Sequence, residues 1–375
     1  MKTNYYQLDG LRGIAILMTI FTHASFGMMG VLSITPLFQQ SKNEIILPDY
    51  IRHIGDQSGH GVQLFFIISA ISLVFSLSSN TSFHLKHYLT KRFFRIAPAF
   101  YIGIIYYLAI LGFKSRQFAP NGISASDILV TLSFFHIWSS KAYNAVVPGG
   151  WSISNEVMFY VLLPTMLCII KKSRISFILL TIVSYAYAQL NYIWISNNAQ
   201  WSAFQYFNFT NQLPVFMTGL LLGHTLFNLN ITKFKSPFIL IKYSKSLSII
   251  FILFAILALP QFNIDRTLQS HLAFTIIACL SIYFIFINPS ILFTNKILVH
   301  IGKVSFSIYL AHFSLMRICH QLASILIHTH GITFLLAYFL LLFTLSYLIA
   351  IVTYRIIELP FIKFSQKITS STAAQ

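Results

Sequence analysis

LRGIAILMTIFTH, residues 11–23, is an apolar run with an ionisable side chain near each end, Arg12 and His23. A helix rises ~1.5 Å per residue, so the pair is separated by about 16 Å, roughly half of a ~30 Å hydrocarbon slab. With Arg12 at one membrane face, His23 sits near the middle. Eleven residues make close to a whole number of turns at ~3.6 per turn. Arg12 and His23 therefore point the same way, with Thr19 between them and Asp9 nearby. Ionisable groups are costly in lipid and usually face a bundle interior or a watery cavity, which makes this polar stripe a functional-site hypothesis.

The rest of the chain agrees with a membrane solvent. Its 375 residues are 56% hydrophobic and 9% charged, against ~25% charged in ordinary soluble domains. The formal charge of +17 comes from Lys and Arg in short segments beside apolar runs, where the positive-inside rule expects them. This reading excludes nucleic acid as a partner and makes the bilayer one. Cys168, Cys279 and Cys319 lie in apolar runs without metal-ligand spacing, so no disulfide or metal site is expected. His320, His328 and His330 fall close together without a carboxylate or cysteine and read as a solvated loop.

Eleven apolar runs are visible, near 13–33, 62–79, 98–113, 126–139, 156–170, 175–194, 211–227, 246–260, 271–288, 304–327 and 332–354. If all eleven crossed, the basic segments at 171–174 and around Lys233, Lys235, Lys242 and Lys245 would face outward, against the charge rule. The 126–139 run is short and contains Asp127 and His136, so it is expected to be re-entrant or interfacial. The expected fold is then all-α, a polytopic bundle of about ten spans plus that one short segment, with both termini cytoplasmic. Neither a cleavable signal peptide nor an internal repeat is found. Residues 1–362 are expected to form a single membrane domain and 363–375 a polar cytoplasmic tail.

Three groups of residues can do chemistry. Glu156 is one of only eight acids and opens an apolar helix after Pro148-Gly149-Gly150. It either complements the positive end of that helix or reaches a cavity shared with His23. A neutral imidazole beside a carboxylate suits removal of a proton from an alcohol, whereas a buried histidine bonded to a neighbouring helix is the plainer alternative. Arg92 and Arg95 share a face if 91–98 is helical. They anchor the chain at the cytoplasmic face or grip phosphate with forked hydrogen bonds.

Taken together, these pieces resemble the acyltransferase-3 family of membrane proteins, which includes bacterial carbohydrate O-acetyltransferases. LDGLRGIAILMTIFTH at 8–23 is similar to its opening helix with the Arg-x10-His motif. GVQLFFIISA at 61–70, KRFFRIAP at 91–98, WSISNEVMFYVLLP at 151–164, VSFSIYLAHF at 304–313 and YRIIELPF at 354–361 follow in the family's order. Gln63 stands where the family often has an acid, and Ala70 where it often has glycine. The first substitution bears on acceptor contacts, the second on packing.

The resemblance implies an enzyme: an O-acyltransferase with acyl-CoA, chiefly acetyl-CoA, as a cytoplasmic donor substrate and no permanently bound cofactor. Its acceptor would be a hydroxyl of a cell-surface carbohydrate or glycolipid such as lipopolysaccharide O-antigen, and its place the bacterial inner membrane. His23 would be the base, with Glu156 orienting its imidazole. Arg12, Arg92 and Arg95 would bind donor phosphates. Asp9, Ser69, Trp151, Ser152, Tyr309 and His312 would support them. No fused hydrolase-like domain is expected. Competing readings are a transporter or flippase for a polar lipid-linked substrate, and a non-catalytic partner of polysaccharide-assembly proteins.

Overall fold

The computed structural model describes residues 2–28, 47–78, 83–116, 118–198, 203–229, 243–244, 246–248, 250, 269–288, 291–327 and 331–371. Among these there is no β-strand. The helices are α1 (Lys2–Met28), α2 (Asp49–Ser58), α3 (Gly61–Ser78), α4 (Leu85–Leu111), α5 (Ala125–Leu132), α6 (Gly150–Lys172), α7 (Arg174–Asn198), α8 (Ala203–Phe207) and α9 (Phe209–Asn228). They continue as α10 (Ser270–Ile287), α11 (Ile291–Thr294), α12 (Lys296–Lys303), α13 (Ser305–Leu326), α14 (Ile332–Thr353) and α15 (Leu359–Ser371). Among the described residues, six helical stretches are long and apolar enough to cross a membrane, or seven if α12 and α13, bent by 73° at their junction, count as one span.

Each apolar run read from the sequence as a span falls on a helix over most of its described residues, apart from 246–260, which lies largely outside the described residues, as do the 233–242 loop, His328 and His330. The 126–139 segment forms only the eight-residue α5 and a short 3-10 turn at His136–Trp138. Eight residues rise about 12 Å, far short of a ~30 Å slab. Ser124 starts α5 with a reciprocal cap: its hydroxyl accepts from the Asp127 backbone N–H, and the Asp127 carboxylate accepts from the Ser124 N–H. This satisfies two otherwise orphaned donors.

Small residues set how closely the helices pack. A side chain on Gly10 would place its first carbon 1.9 Å from the Phe293 carbonyl oxygen, and one on Gly302 would reach 1.8 Å from that of Asp9. The backbones of α1, α11 and α12 thus touch, which only glycine permits and which suits bundles held by packing rather than by hydrophobic exclusion. On the other side of α1, Gly61 meets Ala15 and Thr19, while Gly219 and Gly223 of α9 meet Ile67, Ala70, Ile71 and Val74 of α3. Phe216 stacks between Phe66 and Phe159, each 4.3 Å away, and so ties α9 to α3 and α6. Each such pair contributes on the order of 0.5–1.5 kcal/mol beyond its buried area.

The turn after α5 is pinned by His136. Its ring lies over Phe100 at 5.9 Å, and its Nε2 is 3.0 Å from the Gly150 carbonyl, to which it donates at the first residue of α6. Burial lowers the pKa of this imidazole to about 4, below the ~6.5 of an unfolded histidine. The unfolded chain therefore binds the proton first, and the contribution of His136 to stability is lost as pH falls from about 6.5 toward 4, by up to roughly 3 kcal/mol. Thermal unfolding of the detergent-solubilised protein should show this acid sensitivity, and His136→Gln, which keeps a donor but does not titrate, should flatten it. An equally steep pH dependence in the variant would assign the effect elsewhere.

Candidate active site

The register of α1 against α3 places the polar stripe. The two helices run antiparallel: Gly61 at the start of α3 lies beside Ala15 and Thr19, whereas Ser72, three turns on, accepts a hydrogen bond from Arg12 Nη2 at 2.9 Å. Arg12 Nη1 is paired with Asp9 at 2.9 Å. A guanidinium held from two directions has its orientation fixed before any ligand arrives. Ser69, one turn before Ser72, donates to Glu156 Oε1 at 2.7 Å, and Tyr160, one turn beyond Glu156 on α6, donates to the same oxygen at 2.5 Å. Arg12, Ser69, Arg95, Glu156 and Tyr160 line one cavity of about 70 Å³, together with Ser152, Ser305 and Tyr309. Arg92 does not line it. Its guanidinium lies over the rings of Tyr88 and Tyr160, 5.8 and 5.7 Å from their centres.

His23 lines a second, larger cavity of about 270 Å³ with Thr19, Thr22, Asp56, His60, Arg116 and Asn144. Trp151, Tyr206, Phe207, Phe313 and Tyr309 form its aromatic walls, and Trp151 packs on Phe207 at 4.4 Å. The ring neighbours of His23 are His312 at 5.2 Å and Phe313 at 4.6 Å. His312 is fully buried, and its Nδ1 is 2.7 Å from the Tyr309 carbonyl. A carbonyl can only accept, so Nδ1 carries the proton and Nε2 keeps a lone pair. That Nε2 and the Nδ1 of His23 are both buried without a hydrogen-bond partner.

The two cavities share Val62 and Tyr309. The Tyr309 hydroxyl donates to the Gly149 carbonyl, and the Ser152 hydroxyl donates to the Tyr309 oxygen, both at 2.9 Å. Gly149 has φ +76°, and its N–H is held by Asn144 Oδ1 at 2.7 Å. A Cβ at Gly149 would stand 2.6 Å from the Tyr309 hydroxyl, so this junction requires glycine both for its left-handed backbone and for space.

The structure departs from the expected pairing of His23 with Glu156. In the sequence, Glu156 lies fifteen residues, about 22 Å of helix, from the basic 171–174 segment and His23 about 16 Å from Arg12, heights that by themselves allow a common level. The bond from Ser69 instead fixes Glu156 near the Arg12 end of α3, and His312 occupies the place beside His23. Asp9 holds Arg12, Ser69 holds Glu156, Trp151 walls the His23 cavity, and Ser152 and Tyr309 form the strut at the junction. Gln63 is fully buried and donates to Gln212 at 3.0 Å, while Ala70 packs at Gly219.

Sequence reasoning missed Ser72, Tyr160, His60, Asp56, Arg116, Asn144 and Glu358. Tyr160 was open to discovery, since it lies four residues after Glu156 on the same face. Glu358, buried at the end of a π-turn (Tyr354–Glu358), accepts a hydrogen bond from Ser307 and lies within electrostatic reach of Arg95.

These features define a helical membrane protein in which two polar cavities of different composition meet at one tyrosine. A family model described as "Acyltransferase domain" matches residues 5–355, and the chain belongs to that acyltransferase-3 family. Similar proteins from Staphylococcus aureus strains COL, MSSA476 and MRSA252, each named "Putative O-acetyltransferase", are 27% identical over 336 residues. The match covers 81% of this chain and 52% of theirs, so the chain spans about half the length of the curated relatives it matches. No solved structure matches the chain.

Proposed function

We propose that this chain is a membrane O-acyltransferase that moves an acyl group, acetyl first among candidates, from cytoplasmic acyl-CoA to a hydroxyl of a cell-surface carbohydrate such as O-antigen. The observation that carries this reading is the meeting at Tyr309 of an arginine-lined cavity and an aromatic-walled histidine cavity. Such a pair suits a phosphorylated donor on one side and a sugar on the other.

In this account Arg95 and Arg12 contact donor phosphates and Arg92, packed on two tyrosines, adds field without touching them. The thioester reaches past Tyr309 into the His23 cavity. His23 takes the proton of the acceptor hydroxyl, whose oxygen bonds to the thioester carbonyl carbon. The carbon–sulfur bond then breaks, and the CoA thiolate leaves with a proton returned by the imidazolium. His312 takes over the orienting role expected of Glu156, because its ring lies 5.2 Å from that of His23 and the His312 Nε2 and His23 Nδ1 are both buried without a partner. Glu156 instead balances the charge of Arg12 and Arg95. Excluding water from the junction would limit thioester hydrolysis. Ten spans with both termini cytoplasmic, in a bacterial inner membrane, complete the proposal, with 246–260 as the seventh span.

Membranes containing the full chain, supplied with acetyl-labelled CoA and a surface glycan, should place the label on the glycan as a base-labile ester. A glycan left unlabelled while the protein binds it would favour transport. Arg95→Ala should raise the KM for acetyl-CoA about tenfold or more, as loss of a charge-assisted bond to phosphate would, and change the acceptor KM less than about twofold. An unchanged donor KM would return Arg95 to membrane anchoring.

A further inference from the structure

Arg116 has no place in the chemistry above, yet it lines the same cavity as His23. It sits in the connection after α4, where its backbone exchanges hydrogen bonds with Ala119 at 3.0 and 2.9 Å. The residue is 9% exposed. Nη2 donates to the Gly112 carbonyl at 2.6 Å, while Nε and Nη1 are buried with no hydrogen-bond partner. Among the described residues the ion pairs are Arg12–Asp9 and Arg52–Asp49, so no described carboxylate lies within ion-pair distance of Arg116. Burial without a counter-charge lowers its pKa, but a guanidinium remains charged at any working pH.

A buried cation with two unsatisfied nitrogens, carrying three N–H groups, is costly unless something else supplies acceptors. The other polar groups of the cavity do not. Asn144 spends its oxygen on the Gly149 N–H. His60, whose ring packs at a tilt against Phe274, is a weak substitute for an anion, and Asp56, the one carboxylate on the cavity wall, is exposed and beyond pairing distance. The aromatic walls at Trp151 and Phe207 suit the apolar face of a sugar ring.

We infer that the acceptor is an acidic glycan, whose carboxylate or phosphate pairs with Arg116 while one of its hydroxyls lies at His23. This inference rests on the acyltransferase reading for the identity of the cavity's ligand.

The test uses the purified full-length protein and three disaccharides: one containing a uronic acid, its carboxyl-reduced counterpart, and a phosphorylated form of the neutral sugar. Calorimetric titration should show one or both acidic forms binding about tenfold or more tighter than the neutral one, the size of a charge-assisted contact. Which acid is preferred distinguishes carboxylate from phosphate. Arg116→Gln should bring the ratio below about twofold, and Arg116→Lys should keep an intermediate preference. Equal binding of all three by the wild type, or full preference retained in folded Arg116→Gln, would overturn the proposal. If Arg116→Gln does not fold, the lysine variant decides: an unchanged ratio overturns the proposal and a reduced one supports it. Acyl transfer is measured on the same disaccharides. Transfer without discrimination between them would sink the acidic acceptor and leave the acyltransferase standing. Preferential acid binding without any transfer would do the reverse.

Discussion

Replacing His23 by alanine is expected to lower acyl transfer about 10²–10⁴-fold at matched membrane levels, the range associated with a positioned general base. The donor dissociation constant should move little, because His23 lines the cavity away from Arg12, Arg95 and Glu156. His23 is only partly buried and packs on His312 and Phe313, so its truncation should leave the bundle folded. The informative quantity is therefore kcat measured beside an independent donor-binding assay. A rate within threefold of wild type, or a loss explained wholly by weaker donor binding, would remove the imidazole from the reaction.

The second large effect is expected at Gly149, where no side chain exists to be lost. An alanine there is forced into the left-handed region at φ +76°, at a cost of about 1–2 kcal/mol. Its Cβ also meets the Tyr309 hydroxyl at 2.6 Å and Phe313 at 2.7 Å, and overpacking of this kind typically adds about 1–3 kcal/mol. Tyr309 is where the two cavities meet and Phe313 lines the His23 cavity, so relief of the clash shifts the junction itself. Gly149→Ala should lose at least about tenfold in transfer and should unfold at a lower temperature. Gly331→Ala is the control, since Gly331 also has positive φ but nothing lies within 4 Å of its would-be Cβ. At φ +102° and ψ −145° an alanine is strained by its backbone alone, so this variant should also unfold at a lower temperature but remain fully active. Equal activity in the two variants would show that the Gly149 junction is not part of the path.

The helical elements were legible because apolar runs and breakers are local properties. The α1 stripe followed from ~3.6-residue periodicity alone, and the Arg12–Asp9 pair is an i, i+3 contact on one helix. Relative height between helices was not legible. Two separate rulers, one starting at Arg12 and one at the 171–174 loop, share no zero, and the hydrogen bond between Ser69 and Glu156 supplies it. The same limit applies to Arg92 and Arg95: spacing put them on one face, but only packing against Tyr88 and Tyr160 turns Arg92 away from the cavity that Arg95 lines. Arg116 and Asn144 reach the His23 cavity from connecting segments, where neither helical nor strand periodicity exists to point at them.

The most direct measurement is mass spectrometry of surface glycans from cells expressing the wild type or His23→Ala at matched membrane levels. One acetyl increment, removable by mild base, is expected with the wild type, and its loss with the variant. The same increment in both would contradict the role of His23, and an unmodified glycan in both would contradict acetyl transfer to that surface.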